Sequence, residues 1–139
     1  NKLLFLIKNR NTDEIVGAVG RGLNKNVYPK WFMYDNKDVP FKCGDCDDAV
    51  IVEDCPSACA VSNVLTGVAI MGTKLKEIQK SHLKPYKNLY ICLDRDATTK
   101  AYDMAKDLRS SGFENVIVKP LEDDLKYYDT EQIRRMFYE

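Results

Sequence analysis

Short apolar runs alternate with helix-forming segments from residue 49 to the end of the chain. The runs have the length of buried strands, and they occupy residues 49–52, 68–71, 89–93 and 116–118. Helices are predicted between and after them, at residues 56–64, 74–82, 98–110 and 130–137, the last capped by Thr130. Strands that alternate with helices are typical of a mostly parallel sheet flanked by helices. We therefore predict an α/β fold.

The N-terminal part has a different pattern. Two apolar runs, residues 3–7 and 15–19, flank a polar turn, which predicts a β-hairpin. Residues 27–33 are expected to form a third strand, at a sheet edge because Pro29 cannot donate a ladder hydrogen bond. Residues 35–48 are polar and contain proline and glycine, which predicts a loop.

Charge supports a division into two parts. We predict a small β-rich lobe over residues 1–42 and an α/β domain over residues 43–139. The first carries eight basic and four acidic side chains, and the second thirteen and seventeen. A basic lobe beside an acidic domain would suit a polyanion held near bound cations, although ordinary scatter explains the same difference. The formal net charge of zero argues against a non-specific nucleic-acid coat protein.

Cysteine usage and hydropathy indicate the compartment. No apolar run approaches the ~20 residues of a membrane helix, and no signal pattern is visible, so we expect no membrane partner. Five cysteines and no signal peptide favour a reducing cytoplasm over a disulfide framework. Four of them have the spacing C-x2-C-x8-C-x3-C of a zinc knuckle: Cys43, Cys46, Cys55 and Cys59. A core strand is predicted inside that spacing, so buried or loop cysteines are favoured and zinc is not expected.

Acidic residues follow two of the predicted strands. Glu53 comes after residues 49–52, and Asp94 and Asp96 come after residues 89–93. Ligands of open α/β sheets bind beyond the carboxyl ends of the strands, and in extended backbone Asp94 and Asp96 point the same way. Carboxylate oxygens are ligands that Mg²⁺ and Mn²⁺ prefer. Helix capping is the simpler explanation for each acid alone. The complete order of strand, Glu53, helix, strand, Gly72, helix, strand, Asp94-x-Asp96 and helix is more specific evidence for a cation site than any one acid.

These segments resemble the Toprim domain shared by primases, type IA and type II topoisomerases and several small nucleases. The matching motifs are "AVIVED" with Glu53, "AIMGTKL" with Gly72, and "LYICLDRDATTKAYDMA" with Asp94 and Asp96. The resemblance covers residues 49–118 and implies a Toprim, Rossmann-like sheet. Topoisomerases need a tyrosine nucleophile in a separate domain, for which this chain has no room.

The N-terminal segment narrows the resemblance to the catalytic core of bacterial-type and phage primases. Its matching steps are Gly20-Arg21 and Pro29-Lys30-Trp31. By resemblance, Arg21 and Lys30 contact the template or the nucleoside triphosphate. Lys42 would share that role, and Lys8 and Arg10 would extend the groove for single-stranded DNA.

The resemblance implies template-directed synthesis of short RNA primers by metal-assisted nucleotidyl transfer. Asp94 and Asp96 would hold two or more Mg²⁺ or Mn²⁺ ions together with Asp123 or Asp124, and Glu53 would be a metal ligand or a general base. Single-stranded DNA, ribonucleoside triphosphates and a replicative helicase are the implied partners. Primases also carry a zinc-binding module, and none precedes Asn1, so we expect a fragment of a longer protein. Compact phage primases suggest a phage origin and the host cytoplasm.

Two alternatives stay open. A Toprim nuclease would use the same acids and metals, but water would attack the phosphodiester. A non-catalytic Toprim module would bind nucleic acid or a helicase without chemistry. The Gly-Arg and Pro-Lys-Trp steps favour a primase over the first, and the intact acids Glu53, Asp94 and Asp96 argue against the second.

Overall fold

The structure, a computed structural model, describes residues 2–9, 12–35 and 38–139. Its strands are β1 (Lys2–Lys8), β2 (Ile15–Gly22), β3 (Trp31–Asp35), β4 (Phe41–Cys43), β5 (Asp48–Val52), β6 (Thr66–Ala69), β7 (Asn88–Ile91) and β8 (Val116–Val118). Its helices are α1 (Cys55–Ala60), α2 (Glu77–Lys80), α3 (Thr98–Ser110) and α4 (Thr130–Tyr138), with 3₁₀ turns at Arg95–Ala97 and Leu125–Tyr127. No helix within these ranges is long and apolar enough to cross a membrane.

The larger sheet has five strands in the order β4-β6-β5-β7-β8. Strands β5 to β8 pair in parallel, and β4 is antiparallel to β6 at one edge. Strand β5 lies in the middle, with Ala49, Val50, Ile51 and Val52 fully buried, as expected of a strand covered on both faces. The predicted α/β class with a mostly parallel sheet is confirmed.

The smaller sheet is antiparallel, in the order β1-β2-β3. Strands β1 and β2 form the predicted hairpin. The third strand begins at Trp31 and not at residue 27, because the segment around Pro29 bends before joining the sheet and proline supplies no N–H to a ladder. Just before β3, Lys30 is also joined to β2 by a hydrogen bond from Gly22 N to Lys30 O at 2.9 Å.

The prediction of a loop over residues 35–48 is wrong at β4. This strand is only three residues long, and it forms because Phe41 pairs with Ala69 of β6 and is buried. Such a strand depends on a distant partner and not on a local pattern. The predicted boundary between residues 42 and 43 falls inside β4, and the division into two domains stays a prediction.

Helix ends differ from the predictions in several places. The predicted bounds of α3 are confirmed, whereas α1 and α2 are shorter than residues 56–64 and 74–82. Asp129, and not Thr130, caps α4: its Oδ1 accepts a hydrogen bond from Gln132 N at 2.9 Å, and the Gln132 side chain accepts one from Asp129 N. This reciprocal capping box satisfies two backbone donors at once.

The two faces of the larger sheet are covered differently. Helix α3 packs on one face through Ala101, Met104, Ala105 and Leu108. The other face is covered by α1, α4 and the inner face of the smaller sheet, which contributes Ile7 and Val19. On the side of β3, Met33 lines a cleft together with the segment that follows β6 and with α3.

Candidate active site

Glu53 and Asp94 lie at the carboxyl ends of β5 and β7, which are neighbours in the sheet. Glu53 Oε2 accepts a hydrogen bond from the backbone N–H of Asp94 at 2.8 Å. Because parallel strands end at the same edge, residues 41 positions apart in the chain come into direct contact. The structure thus brings together two of the acids that the sequence singled out.

The surroundings of Glu53 disfavour the ionised form of its carboxyl group. Its pKa is raised to about 7, first by burial and then by a hydrogen bond with the Asp94 side chain. The backbone N–H of Asp94 opposes this shift, and the charges of Asp94 and Asp96 add to it. Near neutral pH, Glu53 is therefore divided between its protonated and ionised forms, which suits a general base.

The backbone between Asp94 and Asp96 does not have the conformation expected from the sequence. The chain leaves its extended conformation at Asp94 and enters the 3₁₀ turn Arg95–Ala97, closed by a hydrogen bond from Ala97 N to Asp94 O. The expectation that Asp94 and Asp96 alternate along an extended backbone is therefore wrong. Asp96 is exposed, and its charge still acts on Glu53.

The capping explanation applies to one acid of the pair Glu53-Asp54 only. Asp54 Oδ1 accepts a hydrogen bond from Ser57 N at 2.9 Å and caps α1. Asp94 precedes the 3₁₀ turn, but its side chain makes no capping hydrogen bond. Glu53 and Asp94 thus remain available for chemistry, and Asp54 has a structural role.

The donor chemistry of this pair fits a hard divalent cation. Mg²⁺ typically takes one or two protein carboxylates and completes its shell with water and substrate phosphates. Within the ranges that the structure describes, no three His, Cys, Asp or Glu side chains are grouped closely enough to hold a metal ion by themselves. Glu53 and Asp94, with Asp96 close enough for its charge to act on Glu53, are the oxygen donors such an ion would meet.

Asp123 and Asp124 follow β8, the strand next to β7. Both are exposed. Asp124 Oδ2 lies 4.0 Å from Lys126 Nζ, and Asp123 N donates to Tyr128 Oη at 3.3 Å. In the described part of the chain, no hydrogen bond joins either carboxylate to Glu53 or Asp94. Their place in the site therefore stays a prediction.

Arg21 carries an unsatisfied donor on the inner face of the smaller sheet. Its guanidinium carbon lies 4.9 Å from the centroid of the Trp31 ring. Its Nη1 atom is buried and has no hydrogen-bond partner among the described residues. Buried donors without partners are rare and call for a structural or functional reason. An anionic ligand such as a phosphate would satisfy this one.

The other predicted basic residues are dispersed. Lys30 is exposed just before β3, and Lys8 is exposed at the end of β1. Lys42 Nζ donates to His82 O at 3.0 Å and lies 5.1 Å from the Tyr86 ring centroid, so internal groups engage it. Arg10 lies outside the described residues.

Gly72 connects the glycine motif to Glu53. Its N–H donates to Glu53 O at 3.2 Å, and its φ of +150° is a conformation that favours glycine. Met71 before it has a φ of 57°, which is uncommon for a side chain of this kind. The loop that follows forms one wall of a cleft of about 950 Å³. Lys74, Lys76 and Lys100 line this cleft and were not among the predicted site residues, although Lys74 lies within the glycine motif and Lys76 follows it directly.

Three of the cysteines have a raised thiol pKa. Burial raises the pKa of Cys55 and of Cys92 to about 12. The pKa of Cys59 is raised to about 11 by burial and by its contact with Cys43.

Comparisons with known proteins relate this geometry to one solved structure. No protein-family model matches the chain, and no curated protein sequence matches it. The chain is similar in structure to the Aquifex aeolicus primase, in a crystal structure of its zinc-binding and RNA polymerase domains, with a TM-score of 0.78 and 25% sequence identity. The similarity covers 97% of this chain and 39% of that one. The chain has a primase-type fold and spans about two fifths of that primase chain.

Proposed function

We propose that this chain is the catalytic core of a DNA primase that synthesises short RNA primers on single-stranded DNA, with residues 43–139 forming a Toprim domain. One observation carries the proposal: Glu53 and Asp94 are in contact at the carboxyl ends of neighbouring parallel strands in a primase-type fold. Paired carboxylates at this edge supply the oxygen donors that nucleotidyl transfer uses.

Each residue of the site has a proposed role. Glu53, Asp94 and Asp96 would hold Mg²⁺ or Mn²⁺, with Asp123 or Asp124 completing the site. A bound divalent cation would neutralise triphosphate charge and orient an in-line displacement. Glu53, whose pKa of about 7 suits proton transfer at neutral pH, would accept the proton of the attacking 3′-hydroxyl when it is not a ligand.

Basic residues would position the substrates. The buried Nη1 of Arg21 has an open hydrogen-bonding position for a phosphate oxygen. Lys30 and Lys8 are exposed and free to contact the template strand. Arg10, Lys42 and Gly72 complete the proposed nucleic-acid and nucleotide groove.

The proposed partners follow from this activity. They are a single-stranded DNA template, ribonucleoside triphosphates, a replicative helicase, and a zinc-binding module of the kind that accompanies the polymerase domain in the A. aeolicus structure. We place the protein in the cytoplasm, that of a bacterial host if the gene is of phage origin.

Primer synthesis on mixed-sequence single-stranded DNA, with labelled ribonucleotides and Mn²⁺, tests the proposal. We expect template-dependent oligomers and a loss of about 100-fold or more in Asp94→Asn/Asp96→Asn, because the cation donors are removed. Asp129→Asn is the matched control, since asparagine also caps α4. A thermal shift on adding Mn²⁺ should disappear in the same double variant and persist in the control.

Other outcomes would point to the alternatives. Cleavage of labelled template without primer products would identify a Toprim nuclease, whose attacking water Glu53 could equally activate. Neither synthesis nor cleavage, together with retained template binding, would identify a non-catalytic module. Primer synthesis that survives in Asp94→Asn/Asp96→Asn would refute the assignment of these acids.

A further inference from the structure

A cleft lies beside the acidic pair and not on it. It encloses about 950 Å³, a volume within the range of small-molecule sites. Its walls come from the glycine loop after β6, from one side of α3, and from Met33 of β3. Gly72, which lines it, is hydrogen-bonded to Glu53 O, so the cleft opens next to the proposed catalytic edge.

Three lysines on this cleft have no ion-pair partner among the residues described. They are Lys74 and Lys76 of the glycine loop and Lys100 of α3, and all three are exposed. Two acids also line the cleft. Asp107 is bound by Lys80 at 2.9 Å, which leaves Asp103 as the acid without an ion pair within the described ranges. The cleft is therefore net positive and suited to a ligand with several negative charges.

The floor of the cleft is apolar and rich in methionine. Met33, Met71 and Met104 line it, together with Ile70 and Leu75. Methionine sulfur makes favourable contacts with aromatic rings and adapts to their shape. A purely anionic ligand would leave this floor without a contact, whereas a ligand that carries phosphates and a flat ring would use both surfaces.

Met33 of the cleft shares a face of the smaller sheet with Arg21, which does not itself line the cleft. Trp31 and Met33 are two residues apart on β3 and so face the same side, and Trp31 pairs with Arg21 across the ladder. The unsatisfied Nη1 of Arg21 thus lies on the same side of the smaller sheet as the methionine floor.

We propose that this lysine–methionine cleft binds a nucleotide, with its phosphates against Lys74, Lys76 and Lys100 and its base against Met33, Met71 and Met104. The nucleotide is either a free nucleoside triphosphate or a unit of a single strand, since both present the same chemistry. The inference rests on the proposed function for the presence of such ligands, and on the cleft for where they bind.

Equilibrium binding to the full chain, without divalent cations, tests the inference. The probes are ATP, inorganic triphosphate and a fluorescent dT12 oligonucleotide. We expect Lys74→Ala/Lys76→Ala to weaken binding of ATP or dT12 by about tenfold, as expected for lost phosphate contacts. The matched control is Lys84→Ala/Lys87→Ala, which removes the same charge from two exposed lysines outside this cleft and should change binding less than about twofold.

A second variant tests the base contact. Met33→Ala should weaken ATP more than inorganic triphosphate, because only ATP carries a ring. Circular dichroism of each variant shows whether it is folded. A response confined to ATP would assign the cleft to the free nucleotide, and one confined to dT12 would assign it to the strand.

Three results would overturn the inference. The first is failure of the wild-type chain to bind either ATP or dT12, and the second is equal binding of these probes by the wild type and Lys74→Ala/Lys76→Ala. The third applies where the lysine variant weakens ATP binding, and it is an equal loss for ATP and inorganic triphosphate in Met33→Ala. None of these depends on primer synthesis. Lysine-dependent binding without synthesis would leave the cleft assignment standing and remove the primase proposal, and synthesis without lysine-dependent binding would do the reverse.

Discussion

Glu53 and Asp54 are adjacent in the chain and have opposite roles. Asp54 has the extended backbone of a helix cap, and its carboxylate is satisfied by Ser57 N. Glu53 points to the neighbouring strand end, where it meets a second carboxyl group and is partly buried. Of these two adjacent side chains, Asp54 stabilises the fold as a helix cap, whereas the fold opposes the ionisation of Glu53.

This opposition predicts a pH-dependent stability. The pKa of Glu53 is about 7 in the folded chain and near its ordinary value of 4.5 in the unfolded chain. The native state therefore binds the proton more tightly, and the free energy of unfolding falls as pH rises between these values. We expect Glu53→Gln to raise the melting temperature at pH 8 and to have little effect at pH 4, without divalent cations.

Melting curves of the wild type, Glu53→Gln and an exposed control, Glu114→Gln, measure this effect. The difference in melting temperature between the wild type and Glu53→Gln should grow with pH. The corresponding difference between the wild type and Glu114→Gln should grow less. An equal difference at both pH values would contradict the raised pKa.

At the scale of elements, α1 rests directly on the backbone of β6. A Cβ added to Gly67 would lie 2.2 Å from Ala58 O and 2.5 Å from Ala58 Cα. The residue before Gly67 in β6 is also held in place. The hydroxyl of Thr66 accepts a hydrogen bond from Cys46 N at 2.8 Å and donates one to Cys46 O at 2.9 Å. An alanine at position 67 could therefore be accommodated only by moving the backbone of α1 or of β6.

We therefore expect Gly67→Ala to lower the free energy of unfolding by about 3 kcal/mol, at the upper end of the usual range for overpacking. Gly20→Ala is the matched control in β2. Its added Cβ would meet side-chain atoms of Tyr34 and Lys2, which can move aside, so we expect a loss below about 1 kcal/mol. Urea denaturation of both variants measures the difference, and equal losses would contradict the direct contact of α1 with β6.

At the scale of the whole molecule, the two sheets share one core. Ile7 and Val19 of the smaller sheet pack in the same cluster as Phe41, Val52 and Phe137. At the opposite end of the chain, Tyr138 Oη donates to Asp48 Oδ2 at 2.7 Å and ties α4 to the start of β5. Both ends of the chain are thus joined to the central sheet.

This arrangement predicts one cooperative unfolding transition. Trp31, the only tryptophan, reports on the smaller sheet, and far-ultraviolet circular dichroism reports mainly on the rest. Truncating the fully buried Ile7 to alanine should lower the free energy of unfolding by about 2–4 kcal/mol. We expect the same decrease whether unfolding is followed by Trp31 fluorescence or by circular dichroism. A shift in Trp31 fluorescence alone would show that residues 1–42 and 43–139 unfold as separate domains.

Local sequence patterns determined the class of the fold. The 3.6-residue repeat predicts α3 with its observed bounds, and the apolar runs predict the hairpin and the central strands, because each pattern depends on neighbouring residues only. The acids after the strands also identify Glu53 and Asp94, because the end of a parallel strand is a position that the chain order specifies.

Tertiary structure decided the rest, because those features depend on residues far apart in the chain. Strand β4 exists only through its pairing with β6. Asp96 lies in a 3₁₀ turn, and the pKa of Glu53 rises through burial and through Asp94, neither of which a sequence window contains. The lysine–methionine cleft joins a loop, a helix and a strand from three parts of the chain. Its lysines resemble any exposed charge until the fold gathers them around one cavity.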